Sequence, residues 1–301
     1  MNSTPSTSFL EQIATKVPVV LNSELTGGNE GYFPITIALS IHAIKVAYEL
    51  KKNFYMNGRL SKWQETAVMM VYSFGGASLS AFLLGLPQPW LENSSLIPVN
   101  SAIFLLMAYL PGDYLFNLLQ AFSPYSDILI SVVDGMTKGY GITTAGVDLV
   151  KFKLKPEKVS ESIVAMIVIG TVTGAGGGMI SDLFQLTQKN WAFRTPTMFT
   201  SLSIDLKLSF FTTIGYIFTT KLWSFSSAMP NFVFSKLFDG IINTVIPSFT
   251  TNEAKLVFGT VCSCVLGYKA YMDYNIFVEK QKVLKSKTEK DLKSSSKSKN
   301  E

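Results

Sequence analysis

The residues that most need a chemical explanation are two short glycine clusters. Phe74-Gly75-Gly76 and Gly174-Ala175-Gly176-Gly177-Gly178 both lie inside apolar runs. Glycine in a helix interior costs about 1 kcal/mol relative to alanine, so the second cluster strongly weakens any helix that carries it. Two explanations remain open. Small residues four apart, such as Gly174 and Gly178, let two helix backbones touch. Alternatively the glycines break their helices, and carbonyls that lose their helical partners line a wet path whose dipoles favour a cation. On the second explanation the pore-lining or helix-breaking set is Gly75, Gly76, Ser80, Thr173, Gly174, Gly176, Gly177, Gly178, Ser181 and Asp182. A carboxylate at Asp182 would raise the local cation concentration. The plainer reading places it at a helix end in water.

Other charges inside apolar runs need a reason too, since each costs about 2.5–3.5 kcal/mol at the centre of a bilayer on insertion scales. Asp134 and Lys138 stand four apart on one helix face and would neutralise each other. If Lys138 instead faces cytosolic headgroups, it would hold the phosphate of an anionic lipid. Lys45 requires a partner or a cavity, and His42, the only histidine, reads as a packing residue one turn away. Lys207 and Lys269 lie near the ends of their runs and would snorkel to headgroups. Nothing resembles catalytic machinery: there is no paired-histidine metal spacing, nucleophile elbow or GxxxxGK loop. No catalytic residue, metal ligand or cofactor is therefore assigned, and an enzyme is not expected. Cys262 and Cys264 are two apart in an apolar stretch, which suits neither a disulfide framework nor a zinc site.

The elements that must carry these residues are long apolar runs. A bilayer core takes about 20 helical residues, and seven stretches approach that length: 34–50, 63–85, 97–119, 126–149, 159–186, 204–223 and 252–274. The region 228–250 is apolar in patches, and its prolines with Lys236 and Asp239 suggest a long loop or an interfacial helix. Overlaying the glycine clusters at an offset of 101 aligns Gly75 with Gly176, Gly76 with Gly177 and Ser80 with Ser181. That offset spans three helices, so the second copy enters the membrane upside down, as an inverted repeat. The expected fold is an all-α polytopic membrane protein. Its seven transmembrane helices form two inverted three-helix repeats, about 34–119 and 126–223, plus a last helix at about 252–274.

The ends read differently. Residues 1–33 lack a basic start followed by an apolar core, so no cleavable signal peptide is expected and the segment is placed on the non-cytosolic side. Residues 276–301 form a lysine- and serine-rich cytosolic tail, read as disordered from Ser286 because it has almost no apolar surface to bury. Counting Lys and Arg in the loops favours an outside N-terminus, although Lys151, Lys153, Lys155 and Lys158 count the other way. The formal net charge of +5 resides in loops and tail, so an anionic membrane surface and not nucleic acid is the expected partner.

Taken together, SFGGASLSAFLLGLPQPW, NSAIFLLMAYLPGDYL and IVIGTVTGAGGGMISDLFQL resemble the trimeric intracellular cation channels. The likeness runs from about residue 34 to 275 and also takes in Lys207-Leu208-Ser209 and Lys269. It implies a homotrimer in the endoplasmic or sarcoplasmic reticulum. Each protomer would have its own pore between glycine-broken second and fifth helices, passing potassium to balance charge during calcium release. It also implies a bound phosphoinositide at a Lys-Glu-Val motif on the fourth helix. Here Asp134-Gly135-Met136 stands in place of that motif, and only Lys138, matching the basic residue that follows it, carries over. Two other classes fit the same pattern: a secondary transporter with inverted repeats, and a non-conducting lipid-binding assembly protein.

Overall fold

Four of the longer helices begin at a hydroxyl side chain that takes up a backbone N–H left free at a helix start. Thr36, Ser61, Ser162 and Ser203 accept from Leu39, Gln64, Ala165 and Leu206 respectively, and Gln64 returns the bond to Ser61 in a capping box. The computed structural model describes residues 9–23, 36–58, 60–154, 157–197, 200–224 and 234–297. Its regular elements are α1 (Phe9–Leu21), α2 (Ile37–Asn57), α3 (Lys62–Leu84), α4 (Pro89–Glu92) and α5 (Leu96–Tyr109). A 3-10 turn over Pro111–Asp113 leads into α6 (Tyr114–Ala121) and α7 (Tyr125–Gly141), which continues as a π-helix over Ile142–Lys153. After α8 (Glu157–Ser160) come α9 (Ile163–Leu183), α10 (Ile204–Thr219), α11 (Ser235–Val245) and α12 (Thr251–Lys297).

The helices form two packed groups. One core gathers α2, α3, α5 and α6 around Ala47, Met69, Phe104 and Phe116. The other gathers the π-helix, α9, α10 and the start of α12 around Val147, Met166, Tyr216 and Ala254. The groups meet where α3 crosses α9, and α12 lies along α7. That second pairing is close because Gly135 and Gly139 face the backbone of Ser263 and Gly259. By length and hydropathy α3 and α9 can each cross a membrane, and α5 with the turn and α6 makes a third crossing if that bent pair is one span. α2 carries Lys45, Glu49, Lys51 and Lys52, and α10 is only 16 residues long.

The structure departs from the expectations at three places and adds an element at a fourth. The glycine clusters do not break their helices, since α3 and α9 run without interruption through Gly75-Gly76 and Gly174–Gly178. The physical reason is that the gaps at Gly75, Gly76, Gly174, Gly176 and Gly177 are filled by neighbouring helices, so the low helix propensity is offset by packing. The third stretch, 97–119, is not a straight span. It bends by 89° at Gly112 (φ 69°) and Asp113 (φ 53°), and buried Lys51 donates to the freed carbonyls of Met107 (2.9 Å) and Ala108 (3.2 Å) and to Asp113 (2.5 Å). The tail is helical to Lys297. Lys, Glu and Gln are good helix formers, and a helix extended from an existing one needs no new nucleus. Finally, the N-terminal segment contains α1, which packs on α12. The rest of residues 1–33 beyond 9–23, the first two residues of the first apolar stretch and residues 298–301 lie outside the described residues.

Candidate functional site

The crossing of α3 and α9 brings the two glycine clusters together face to face. A Cβ placed on Gly75 would lie 2.8 Å from Gly177 Cα, and one on Gly176 would lie 2.8 Å from Gly76 Cα. On Gly177 it would meet the Tyr72 and Val71 carbonyl oxygens at 2.8 Å; on Gly76 it would meet those of Thr173 and Val172. The offset of 101 carries Gly75 onto Gly176, Gly76 onto Gly177, Val71 onto Val172 and Tyr72 onto Thr173, so the contacts are reciprocal. Hydroxyls flank the crossing in the same way. Ser80 lies 2.9 Å from Thr173 Oγ1, which itself donates to the Ile169 carbonyl, leaving Ser80 as the donor. On the other side Ser181 lies within side-chain reach of Tyr72.

Beside this crossing lies a cavity of about 630 Å³ enclosed by α2, α3, α7, α9, α10 and α12. Of the glycine-cluster residues and their neighbours, Gly76, Thr173, Gly174, Gly177, Gly178 and Asp182 line it. Gly75, Ser80, Gly176 and Ser181 instead form the helix contact next to it, where all four are buried. Gly178 faces open space, whereas Gly174 is covered by Ser209 and Ile142.

Charges gather on the wall opposite the glycines. Asp134 is buried and bonds His42 Nδ1 at 2.7 Å and Lys45 Nζ at 3.4 Å, while Lys45 also reaches Glu49 at 3.2 Å. Lys138 is ion-paired with Asp205, which a second lysine, Lys269, approaches at 3.7 Å. Asp134 and Lys138 therefore do not neutralise each other; one helix face is too narrow for both to ignore the carboxylates and lysines of α2, α10 and α12. His42 is a partner in this network and not a packing residue, and Lys269 is bound to carboxylates instead of only reaching for headgroups. Asp182, at the end of α9, accepts the Thr197 backbone N–H at 2.6 Å and its hydroxyl at 2.9 Å, which fastens the loop after α9 beside the cavity. Removing one member of such a buried pair costs about 3–5 kcal/mol because the other charge is stranded.

Asp205 and Glu49 were not singled out from sequence. The rule that a charge in an apolar run needs a reason applies to Asp205 as well and would have found it; Glu49, near the end of its run, gave no comparable signal. Among the described residues no group of His, Cys, Asp and Glu could hold a metal ion.

Helices long and apolar enough to cross a membrane, surrounding a charged cavity, define a polytopic membrane protein built around a polar interior. The chain belongs to the TRIC channel family, whose pattern matches residues 51–241, more than half of its length. It is therefore a member of a family of ion channels and not an enzyme. It is 30% identical over 127 residues to trimeric intracellular cation channel type B of Danio rerio and 34% identical over 123 residues to the type B channel of Xenopus tropicalis. Each match covers 40% of this chain, and the chain spans about 40% of the length of these relatives. Its fold is similar to a structure described as a TRIC counter-ion channel in calcium release, with a TM-score of 0.61, 17% identity, and coverage of 87% of this chain and 99% of that one. A Caenorhabditis elegans trimeric intracellular cation channel with bound Ca2+ gives a TM-score of 0.56 at 17% identity, covering 88% of this chain and 99% of that one.

Proposed function

We propose that the protein is a potassium-conducting channel of an intracellular membrane such as the endoplasmic or sarcoplasmic reticulum. It would assemble as a homotrimer with a pore in each protomer and supply counter-ion current during calcium release. The observation that carries this reading is the charged cavity of about 630 Å³ at the crossing of α3 and α9 in a member of a channel family. Because both glycine helices are continuous, backbone carbonyls are not free to coordinate an ion there. A cation would instead meet the hydroxyl of Thr173 and the carboxylates of Asp182, Glu49, Asp134 and Asp205, which also line the cavity. The glycines serve the pore by letting the helices approach so closely that no side chain fills the crossing.

The same proposal includes seven spans in two inverted repeats plus α12. The reciprocal contacts of Gly75, Gly76, Gly176 and Gly177 support it, since a two-fold relation between α3 and α9 generates pairs of that form. Lys138 is proposed to bind a phosphoinositide headgroup, and its ion pair with Asp205 means that a lipid phosphate must draw it from a carboxylate. Recording from purified protein in planar bilayers tests the reading. Unitary potassium currents support a channel, whereas saturable flux without steps refutes it and favours a transporter.

A further inference from the structure

The segment between α10 and α12 contains α11, whose two faces are chemically distinct. Leu237, Ile241 and Val245 recur at four-residue spacing on one face, while Ser235, Asp239, Asn243 and Lys236 gather on the other. A surface helix in water turns the apolar face inward. α11 does not: its Leu237, Ile241 and Val245 side is open, and of its polar residues Ser235 and Asp239 turn inward while Lys236 and Asn243 are exposed. Ser235 is 3% exposed and Asp239 half-buried, whereas Leu237, Ile241 and Val245 are 58, 51 and 73% exposed. The segment is also held at a fixed place. The Phe249 N–H donates to the carbonyl of Thr219, the last residue of α10, at 3.0 Å, and Lys221 Nζ donates to the Ile246 carbonyl at 3.2 Å. Both ends of the segment therefore lie where α10 finishes and α12 begins, at the edge of the proposed bundle. The medium beyond that edge is lipid headgroup and the adjoining acyl chain.

We infer that α11 is a membrane-surface helix that seats Leu237, Ile241 and Val245 in the interfacial layer of the leaflet into which α10 and α12 emerge. Eleven residues make a helix about 16 Å long, short enough to lie flat beside the bundle. Its apolar face is solvated by acyl chain while Lys236 and Asn243 stay exposed to headgroups and water, the distribution expected of a helix lying in the plane of an interface. Lys236, exposed beside Leu237, can extend to headgroup phosphates. This inference rests on α10 and α12 spanning the membrane and does not depend on conduction.

The test uses the full chain with Cys262 and Cys264 replaced by alanine, reconstituted in phosphatidylcholine and phosphatidylserine vesicles. Single cysteines at Ile241, Asn243 and, as a lipid-facing control on α10, Phe211 carry a nitroxide spin label. Collision with oxygen, which concentrates in the bilayer, is compared with collision with a water-soluble nickel chelate. The Ile241 label is expected to show an oxygen-to-nickel ratio several-fold above that of Asn243 and close to that of Phe211. Equal nickel access at Ile241 and Asn243 would overturn the inference in favour of an aqueous loop. Shielding of Ile241 from both reagents would overturn it in favour of a protein partner or a second copy. A Phe211 label open to nickel would instead show that α10 does not span, which separates failure of the topology from failure of the inference.

Discussion

Replacing Gly177 by alanine places a methyl group 2.8 Å from the Tyr72 and Val71 carbonyl oxygens. Ordinary contact begins near 3.4 Å, and both obstacles are backbone atoms that no rotamer change can move. The two helices must therefore separate by about 0.6 Å along a tightly packed contact. Overpacking of this kind costs about 1–3 kcal/mol, against a gain of about 1 kcal/mol from the better helix propensity of alanine. The net expectation is a loss of about 1 kcal/mol. Gly178→Ala is the internal control. Nothing lies within 4 Å of its added methyl group, so the propensity gain of about 1 kcal/mol survives intact. In thermal unfolding of the purified protein in detergent, Gly178→Ala should unfold at or above the parent temperature and Gly177→Ala below it. Gly76→Ala, whose methyl would lie closer still to the Thr173 carbonyl oxygen, should lose at least as much as Gly177→Ala. If Gly177→Ala and Gly178→Ala are equally stable, the glycines do not hold the crossing together and the packing rationale is wrong.

Other outcomes follow from the charge network. Asp134→Ala removes the buried carboxylate that His42 and Lys45 share, but Lys45 keeps Glu49, so the loss should fall below the about 3–5 kcal/mol of a fully stranded charge; the shift in denaturation midpoint decides this. Lys138→Ala should weaken phosphoinositide capture in a vesicle-binding assay, and unchanged capture would place the lipid elsewhere. Asp182→Asn removes a carboxylate from the cavity wall and should lower unitary cation conductance with the protein still folded, as judged by its elution volume. Deleting residues 286–301 should reduce helical ellipticity by circular dichroism, which a disordered tail would not do.

The sequence reveals the helical segments well and their shape less well. The apolar runs located the membrane-spanning candidates because a long stretch without charge has few other uses, and Ser61, Ser162 and Ser203 mark their starts by plain capping chemistry. The bend at Pro111-Gly112-Asp113 was present as a motif but not as an angle, since the left-handed backbone there depends on Lys51 arriving from α2 to satisfy the carbonyls. The glycine clusters identified the crossing. They did not distinguish a packed crossing from a broken helix, because that depends on what fills the missing side-chain volume, and the filler comes from a distant helix. Lys138 similarly drew attention as a lipid ligand, while its partner Asp205 lies on another helix and emerges only when the bundle is assembled. Local signals name the residues with unusual requirements; their partners are set by tertiary contact.

The most direct measurement is a single-channel recording from the purified full chain in a planar bilayer, with potassium chloride at unequal concentrations on the two sides. Discrete current steps are expected, with a reversal potential close to the potassium equilibrium potential, and Asp182→Asn should reduce their size. Absence of steps in correctly folded protein, or a reversal potential near that of chloride, would contradict the assignment of the α3–α9 cavity as a cation pathway.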